Sequence, residues 1–468
     1  MTQAIDDYKK KAQSLFNDNI LGLWKTSDNV WRNGCAMDTI LDYFTVCEVD
    51  PSPHADTALN SLNPMKKGNW WDDFGWIGLA ALRAAELNPW PNYRDRFLKI
   101  AINSWAYMWG PGWSDSNTDI YPFTGDDLPG WEKFKESHTT NRGAPNVWND
   151  IEKTWNDKTH PLTQDEKMKR RARYDGGIWN SPIENSTQPE LTSDYKGDGA
   201  YVNPIQNTVT NAVFTLLSLR SYLASQNPVF SNVFTASRVN TDVCLVAWKL
   251  QIEWFEQWIV KTTAADESMM FELDTGCLIR ERASTFHEWN GKAYWDGSYR
   301  KEWIWTGDQG LLIGLLRESE ASELTKLDMF YLYPQIIEGV FAHGYQPRTY
   351  NNKTITGNFL LPWIVVGSRA PNTEGALAGD ANDYQTGTHV FMRYLLQAFK
   401  AHPSLLKRHK DAILNSANNI IKDGFGTDPD PQGSCDSYTP YTWEDAATQM
   451  SAYVNRLSVL LLAIELSK

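Results

Sequence analysis

Two adjacent carboxylates stand in a tryptophan-rich stretch of the sequence. Asp72 and Asp73 directly follow Trp70 and Trp71, and Trp76 comes shortly after them. In a retaining glycosidase the two catalytic carboxyl groups lie about 5–5.5 Å apart, a distance that neighbouring side chains can span. Indole rings offer flat apolar faces on which sugar rings can stack. The stretch therefore predicts an acid, a nucleophile and a sugar-binding surface, which glycoside hydrolysis requires together.

A purely structural role is the alternative for the same aspartates. Acidic side chains in the first turn of a helix bind backbone amides that lack helical partners, and they complement the positive end of the helix dipole. Apolar residues continue at helical spacing after the pair, at Phe74, Ile77, Ala81 and Ala85. The pair thus begins a helix in either case, and its chemistry depends on what other motifs surround it.

Three further polar motifs lie at the edges of predicted helices, within residues 174–180, 206–211 and 305–310. Glycine allows a backbone to approach a ligand closely, while Asn, Gln and Asp supply the hydrogen bonds that a sugar needs. Helix caps and tight turns use the same residue types, so each motif alone also has a structural explanation. The predicted substrate-binding residues are Trp70, Trp71, Gly176, Gly177, Trp179, Asn207, Asn211, Trp305, Asp308 and Gln309.

Helical spacing of apolar residues dominates the chain. Short turns containing Pro or Gly separate several of the helices, as in antiparallel pairs of helices. Six such pairs closed into a ring predict an all-α fold, an (α/α)6 barrel with long loops framing a cleft at one end. An open superhelical array would show a recurring sequence period, and we find none. The helices are predicted near residues 4–20, 33–46, 73–87, 92–109, 161–173, 204–225, 239–262, 302–318, 324–346, 384–401, 403–423 and 443–466.

Composition restricts the class of partner. The chain has 468 residues, 42% of them hydrophobic, which with the continuous helical pattern predicts one domain over residues 1–468. A net charge of -13 argues against nucleic acid and anionic membranes and favours a neutral partner such as an oligosaccharide or polysaccharide. Motifs for nucleotide, metal and acyl-transfer chemistry are absent from the sequence, so we expect no cofactor and no metal.

The sequence contains no apolar run of about 18 residues, the length that spans a membrane. Residues 1–7 also lack the basic and apolar regions of a signal peptide. A cytoplasmic location is therefore expected if Met1 is the native start, and an extracellular one if a signal has been removed. The five cysteines are odd in number and far apart, and they do not indicate a disulfide framework.

Long connections between the helices are expected to carry function. Residues 110–160 contain Trp113, Trp131, Trp148 and Trp155 and either wall one side of the cleft or pin the loop to the barrel. Residues 175–203 and 347–383 are predicted loops. Residues 263–300 include Asn290-Gly291, the strongest short signal for a β-hairpin.

In this order, the motifs resemble glycoside hydrolase family 76, the retaining α-1,6-mannanases that fold as (α/α)6 barrels. Trp71 to Asp73 match its Trp-Asp-Asp motif, Gly176 to Trp179 its Gly-Gly-Ile-Trp motif, Asn207 to Asn211 its Asn-rich helix start, and Gln309 and Gly310 its Gln-Gly motif. The likeness spans about residues 24–460. It implies a substrate with α-mannosidic, expected α-1,6, linkages, with Asp72 as the nucleophile and Asp73 as the acid/base.

The implied mechanism is a double displacement. Asp73 protonates the leaving oxygen while Asp72 attacks the anomeric carbon, and Asp73 then activates water. The negative charge of Asp72 would help Asp73 to keep its proton. Asp308 departs from the family, in which Asn is usual at that position. Because Asp308 is a predicted substrate-binding residue, this departure bears on the identity of the sugar and not on the fold.

Three alternatives remain open. A glycosidase or transglycosylase of the same fold could act on a different sugar, because a fold and a carboxylate pair do not fix the substrate. A sugar epimerase or isomerase would need a His base, and His389 lies near Arg393 in the sequence. A non-catalytic carbohydrate-binding protein would keep the indoles without the chemistry, although the intact Asp pair argues against it.

Overall fold

The computed structural model describes fourteen ranges of the chain. The described residues are 2–62, 71–112, 177–178, 206–237, 241–262, 268–282, 286–289, 292–295, 303–324, 327–350, 353–360, 363–365, 385–422 and 446–468. The predicted helix at 161–173 and nearly all of residues 110–160 and 175–203 lie outside these ranges.

Helices follow one another through most of the described sequence. They are α1 (Thr2–Ser14), α2 (Leu21–Thr26), α3 (Val30–Cys47), α4 (Ala55–Ser61), α5 (Trp71–Leu87), α6 (Arg94–Gly112), α7 (Thr208–Ser225), α8 (Pro228–Ala236), α9 (Thr241–Glu256), α10 (Thr306–Ala321), α11 (Leu332–Gly344), α12 (Gly387–Ala401), α13 (Lys410–Lys422) and α14 (Ala446–Ser467). A π-helical segment, Leu15–Ile20, joins α1 to α2 without a break.

Six of these helices form a closed inner ring. In order around the ring they are α3, α5, α7, α10, α12 and α14, each packed on the next, and α14 packs on α3 to close it. Around them pack α1, α4, α6, α9, α11 and α13, so that among these twelve described helices outer and inner ones alternate in chain order. The protein is therefore an (α/α)6 barrel, as the sequence predicts. We call the space inside the inner ring the lumen.

Burial of apolar side chains holds the two rings together. One continuous hydrophobic cluster extends from Tyr8 in α1 to Leu466 in α14. Helix α14 is long and apolar enough to cross a membrane, yet 94% of its apolar window is buried inside the protein. A helix that is hydrophobic around its whole circumference is expected where neighbours cover every side. The hydrophobicity of α14 thus reflects its place in the barrel core.

Short strands fill some of the connections. They are β1 (Met270–Glu272), β2 (Cys277–Ile279), β3 (Phe286–Trp289), β4 (Lys292–Trp295), β5 (Trp303–Trp305), β6 (Tyr345–Tyr350), β7 (Lys353–Leu360) and β8 (Trp363–Val365). The antiparallel pairs are β1 with β2, β3 with β4, β5 with β8, and β6 with β7. Trp289 pairs with Lys292, which confirms the hairpin predicted at Asn290-Gly291.

The sequence predictions differ from the structure in several places. Helices α2, α4 and α8 were not predicted, and α13 begins at Lys410 and not near residue 403. Residues 347–383 were expected to be loop, but β6, β7 and β8 occupy part of that segment, where Thr, Ile and aromatic residues favour strands. The helix expected over 324–346 is shorter, since α11 begins at Leu332 after a 3-10 turn at Asp328–Tyr331. Pro334 lies in the first turn of α11, where proline is tolerated, whereas a helix interior would exclude it.

Glycine sets how closely two inner helices approach. A Cβ atom at Gly310 of α10 would lie 2.5 Å from the Cα of Phe391 in α12. At Gly34 of α3 a Cβ atom would lie 3.0 Å from the backbone nitrogen of Ile77 in α5. Larger residues at these positions would push the helices apart. Gly310, part of the Gln-Gly motif, therefore serves helix packing.

Candidate active site

The inner helices begin at the same end of the barrel. Asp42 of α3 forms an ion pair with Arg83 of α5, and these residues lie equally far from the first residues of their helices. Gly34 and Ile77, which are in contact nearer the helix starts, show that the two helices run parallel. The same arrangement aligns Arg220 of α7 with Glu318 of α10, through a hydrogen bond of 2.8 Å from Nε to Oε2.

Further contacts extend this register around the ring. Gly310 and Gly314 of α10 contact Phe391 and Tyr394 of α12, and Arg32 of α3 donates a hydrogen bond to Thr448 of α14. Backbone N–H groups in the first turn of a helix lack intrahelical partners and carry partial positive charge. One end of the lumen, here called the mouth, therefore collects the starts of the inner helices and favours anionic side chains.

The aspartate pair lies at this mouth. Asp72 and Asp73 are in the first turn of α5, as the sequence predicts. Asp72 is half-buried and Asp73 is 9% exposed. Asp72 precedes Trp76 by one helical turn on the same face of α5. The two carboxylates thus differ in burial although they are neighbours in sequence.

Trp76 shows which way that face points. Its ring meets the ring of Trp305 edge to face at a centroid distance of 6.2 Å, and the guanidinium of Arg393 lies 5.3 Å from its centroid. Neither α10 nor α12 is next to α5 in the ring, so these contacts cross the lumen. The rings of Trp76 and Trp305 therefore form a floor below the mouth. Asp72 lies one turn above this floor.

The tryptophans of the motif do not all serve as exposed platforms. Trp71 is 1% exposed, and its ring packs 5.9 Å from the ring of Phe74. Such burial contradicts the expected stacking face, because the start of α5 packs this indole into the core. Trp305 is also buried, at 7% exposure, although it borders the lumen. Trp70 lies outside the described residues.

Asn211 fastens the Gly-Gly-Ile-Trp motif to the barrel. Its side-chain oxygen accepts a hydrogen bond of 2.7 Å from the backbone N–H of Ile178, and its amide nitrogen donates to the Ile178 carbonyl at 3.1 Å. A Cβ atom at Gly177 would lie 2.5 Å from Nε1 of Trp254. In this structure Asn211 therefore positions the motif. Gly176 and Trp179, on either side of Gly177 and Ile178, lie outside the described residues.

Gln309 and Asn207 also bind backbone atoms. The Gln309 side chain accepts a hydrogen bond of 2.8 Å from the N–H of Ile279 and donates one of 2.6 Å to its carbonyl. Asn207 caps α7 by accepting from the N–H of Thr210 at 3.0 Å. Both side chains are buried. Their contacts give these two predicted binding residues a positioning role, and substrate binding by either remains a prediction.

Asp308 is a buried carboxyl group in the first turn of α10. It is 0% exposed, and neither carboxyl oxygen has a hydrogen-bond partner within the described part of the protein. Burial, and secondly the charge of Glu281, raise the pKa of Asp308 well above its usual range. Burial of this kind disfavours the charged form of a carboxyl group. Asp308 is thus a poor candidate for an anionic nucleophile.

Charged side chains that the sequence reasoning did not identify occupy the lumen below the floor. Asp38 of α3 lies 2.5 Å from a guanidinium nitrogen of Arg83 and 3.4 Å from Nε of Arg393. Burial opposes the charge of Asp38, but both guanidinium groups hold its pKa well below the usual range. The signal was present in the sequence, since Asp38 and Asp42 are one turn apart within an apolar helix.

His389 lies in the same interior. It is 0% exposed, its Nε2 is 3.9 Å from the Cys35 sulfur, and its Nδ1 is 3.4 Å from the Thr39 hydroxyl. Burial and the charge of Arg393 lower the pKa of His389 well below its usual value. A neutral, enclosed imidazole is poorly placed to exchange protons with a sugar in the mouth.

Comparison with solved structures shows the same fold in an α-1,6-mannanase and a family 76 mannosidase. One similar structure is an inactive variant of the α-1,6-mannanase GH76A of Salegentibacter sp. HEL1_6. Two consecutive aspartates of that protein are replaced by asparagine, and α-1,6-mannotriose is bound. It superposes with a TM-score of 0.51 at 13% identity, covering 98% of this chain and 99% of that one. The family 76 mannosidase Bt3792 from Bacteroides thetaiotaomicron has a TM-score of 0.51 at 11% identity, with 100% of both chains covered.

A third structure, the Lin0763 protein from Listeria innocua, has a TM-score of 0.52 at 13% identity and covers 99% of this chain and 97% of its own. No protein-family model and no curated protein sequence matches this chain. At these identities the likeness establishes the fold. The chain therefore shares the (α/α)6 barrel of glycoside hydrolase family 76 over nearly its whole length.

Proposed function

We propose that the protein is a glycoside hydrolase that cleaves α-mannosidic, expected α-1,6, linkages by a retaining double displacement. The observation that carries this proposal is the position of Asp72 and Asp73, adjacent in the first turn of an inner helix at the mouth of an (α/α)6 barrel. The α-1,6-mannanase with this fold is inactive when two consecutive aspartates are replaced, and it binds α-1,6-mannotriose.

The different burial of the two carboxylates supports their assigned roles. Asp72 is the more exposed of the two, as is required of a nucleophile that a sugar in the mouth must reach. Asp73 is the more buried of the two. Asp73 would then donate its proton to the leaving oxygen and, once ionised, activate the water that releases the product.

The surroundings of the pair suit a neutral substrate. The net charge of -13 disfavours polyanionic partners, and the indole floor formed by Trp76 and Trp305 separates the mouth from the charged interior one turn below Asp72. The enclosed, neutral His389 argues against an epimerase or isomerase that uses this histidine as its base. A glycosidase or transglycosylase acting on another sugar is the second candidate, because Asp308 departs from the family pattern.

A glycan panel with product analysis tests the proposal. The parent protein is incubated with α-1,6-mannan, other α-mannans, β-mannan and α-glucans, and the products are separated by chain length. We expect cleavage of α-1,6-mannan. Asp72→Asn and Asp73→Asn should each lower kcat by at least about 10²–10⁴-fold, the usual contribution of general acid–base catalysis.

Thermal unfolding is the control, because each change removes a charge and leaves the side-chain shape nearly unaltered. Both variants should melt close to the parent temperature. A variant with near-normal turnover would exclude its carboxylate from the chemistry. Cleavage of a glycan other than an α-mannan would support the second candidate, and absence of cleavage on every glycan would contradict the proposal.

A further inference from the structure

Trp31 differs from the other tryptophans that the structure describes. Its side chain is partly exposed, whereas every other tryptophan with a described side chain is buried. The buried ones are Trp24, Trp71, Trp76, Trp90, Trp105, Trp109, Trp248, Trp254, Trp258 and Trp305. Trp31 is therefore the described indole with surface left for a ligand. Sequence reasoning did not select it, although the polar residues Asp28, Asn29 and Asn33 lie close to it in the sequence.

The register of the inner ring places Trp31 level with Asp72. Trp31 directly follows Val30, the first residue of α3, and Asp72 directly follows Trp71, the first residue of α5. These adjacent helices are parallel and in register, as the ion pair between Asp42 and Arg83 shows. Trp31 and Asp72 thus occupy equivalent positions in the first turns of neighbouring helices.

The face on which Trp31 lies points into the lumen. Residues 31, 35, 38 and 42 follow the spacing i, i+4, i+7, i+11, which keeps them on one side of α3. Two residues of this stripe further from the mouth contact a helix across the ring. Arg393 of α12 donates a hydrogen bond of 2.8 Å to the Cys35 carbonyl, and its Nε lies 3.4 Å from a carboxylate oxygen of Asp38. Trp31 is the member of the stripe nearest the mouth.

Arg32 holds the indole in place. Its guanidinium carbon lies 5.2 Å from the centroid of the Trp31 ring, and Arg32 itself is 4% exposed and donates a hydrogen bond to Thr448 of α14. A cation over an aromatic ring is an attractive contact. A platform fixed before the ligand arrives loses less conformational freedom on binding.

We infer that Trp31 is a stacking platform for one sugar ring of the oligosaccharide that is cleaved at Asp72 and Asp73. The inference rests on the proposed function and adds a subsite on the α3 side of the mouth. The apolar C–H face of a neutral hexose fits a partly exposed indole, while its hydroxyl groups stay in contact with water. Trp31 would thereby determine which chain lengths are preferred.

The test compares kcat/KM for α-1,6-mannooligosaccharides of increasing length. Trp31→Ala removes the ring and should lower kcat/KM about three- to tenfold for oligosaccharides long enough to reach it, with the shortest substrates unaffected. Trp31→Phe keeps a flat ring and should recover most of the loss. Tyr331→Ala removes an aromatic side chain of 48% exposure before the outer helix α11 and serves as the matched control.

Melting temperatures separate subsite loss from damage to the barrel. The inference predicts unchanged melting of Trp31→Ala together with an altered length preference. Equal loss on all lengths with a lowered melting temperature would overturn it, and so would a length preference identical to that of the parent. If the parent cleaves another glycan, the same series on that glycan tests Trp31 separately. A parent that neither cleaves nor binds any glycan overturns both proposals.

Discussion

At the scale of single residues, Asp308 is a carboxyl group whose ionised form is disfavoured by burial. A carboxyl group with no exposure and no hydrogen-bond partner among the described residues keeps its proton in the folded protein over a pH range in which the unfolded chain loses it. The unfolded state then binds fewer protons, so stability falls as pH rises above about 4, the ordinary pKa of an aspartate. This penalty persists at neutral pH.

We therefore expect Asp308→Asn to stabilise the protein. At pH 7 the free energy of unfolding should rise by about 1–3 kcal/mol, the usual range for the desolvation penalty of one polar group. The gain should vanish well below pH 4, where Asp308 is protonated in both states. Asp6→Asn, at an exposed position of α1, is the control and should change little. Destabilisation at pH 7 would show that a charged Asp308 is held by favourable contacts.

The positions of site residues could be predicted from the sequence where a local pattern determines them. Asp72 and Asp73 are at a helix start because acidic residues followed by an apolar helical pattern favour that position. Trp71 was expected to be an exposed platform and is buried, since sequence does not tell which indoles the second ring of helices covers. The partial exposure of Trp31 was unpredictable for the same reason.

At the scale of elements, close packing of α10 on α12 aligns two helices that begin at the mouth. A methyl group at Gly310 would meet backbone atoms of Phe391 and Val390, which cannot rotate away as a side chain can. The two helices would have to separate. Because α10 also carries Asp308 and Gln309 in its first turn, their separation would disturb the mouth as well as the core.

Gly310→Ala should lower the free energy of unfolding by about 1–3 kcal/mol, the usual cost of overpacking. Gly22→Ala is a matched control, because nothing lies within 4 Å of a Cβ atom at Gly22 in helix α2. Alanine there should stabilise the helix by about 0.5–1 kcal/mol. Denaturant unfolding of both variants measures the difference. Equal effects of the two changes would mean that the α10–α12 contact tolerates a methyl group.

Helical periodicity predicted most of the long helices, and the elements that it placed wrongly have physical explanations. Strands β6 and β7 contain β-branched and aromatic residues, but the sequence reasoning treated their residues from 347 onward as loop and the first two residues of β6 as the end of a helix. The start of α11 was placed too early because its apolar spacing continues into the 3-10 turn before it. Long-range pairing and helix ends depend on tertiary contacts, which a local pattern does not contain.

At the scale of the whole molecule, the lumen is divided along its axis. The mouth holds Asp72 and Asp73, the rings of Trp76 and Trp305 form a floor, and the ion pairs of Asp38 with Arg83 and of Arg220 with Glu318 lie below it. Removal of one partner of a buried ion pair destabilises a protein by about 3–5 kcal/mol, because the other charge is left buried without compensation. The charged interior therefore fixes the register of the inner helices, and that register brings the first turns together at the mouth.

The central claim is that the adjacent aspartates at this mouth perform a retaining hydrolysis. Side chains on successive residues leave little room for a water between them, whereas inverting enzymes separate their carboxyl groups by about 6.5–9.5 Å. Proton NMR of α-1,6-mannan during the first minutes of hydrolysis shows which anomer is released before mutarotation mixes them. The account predicts the α-anomer first. Initial release of the β-anomer would contradict it and would indicate that a more distant carboxyl group acts with one aspartate of the pair.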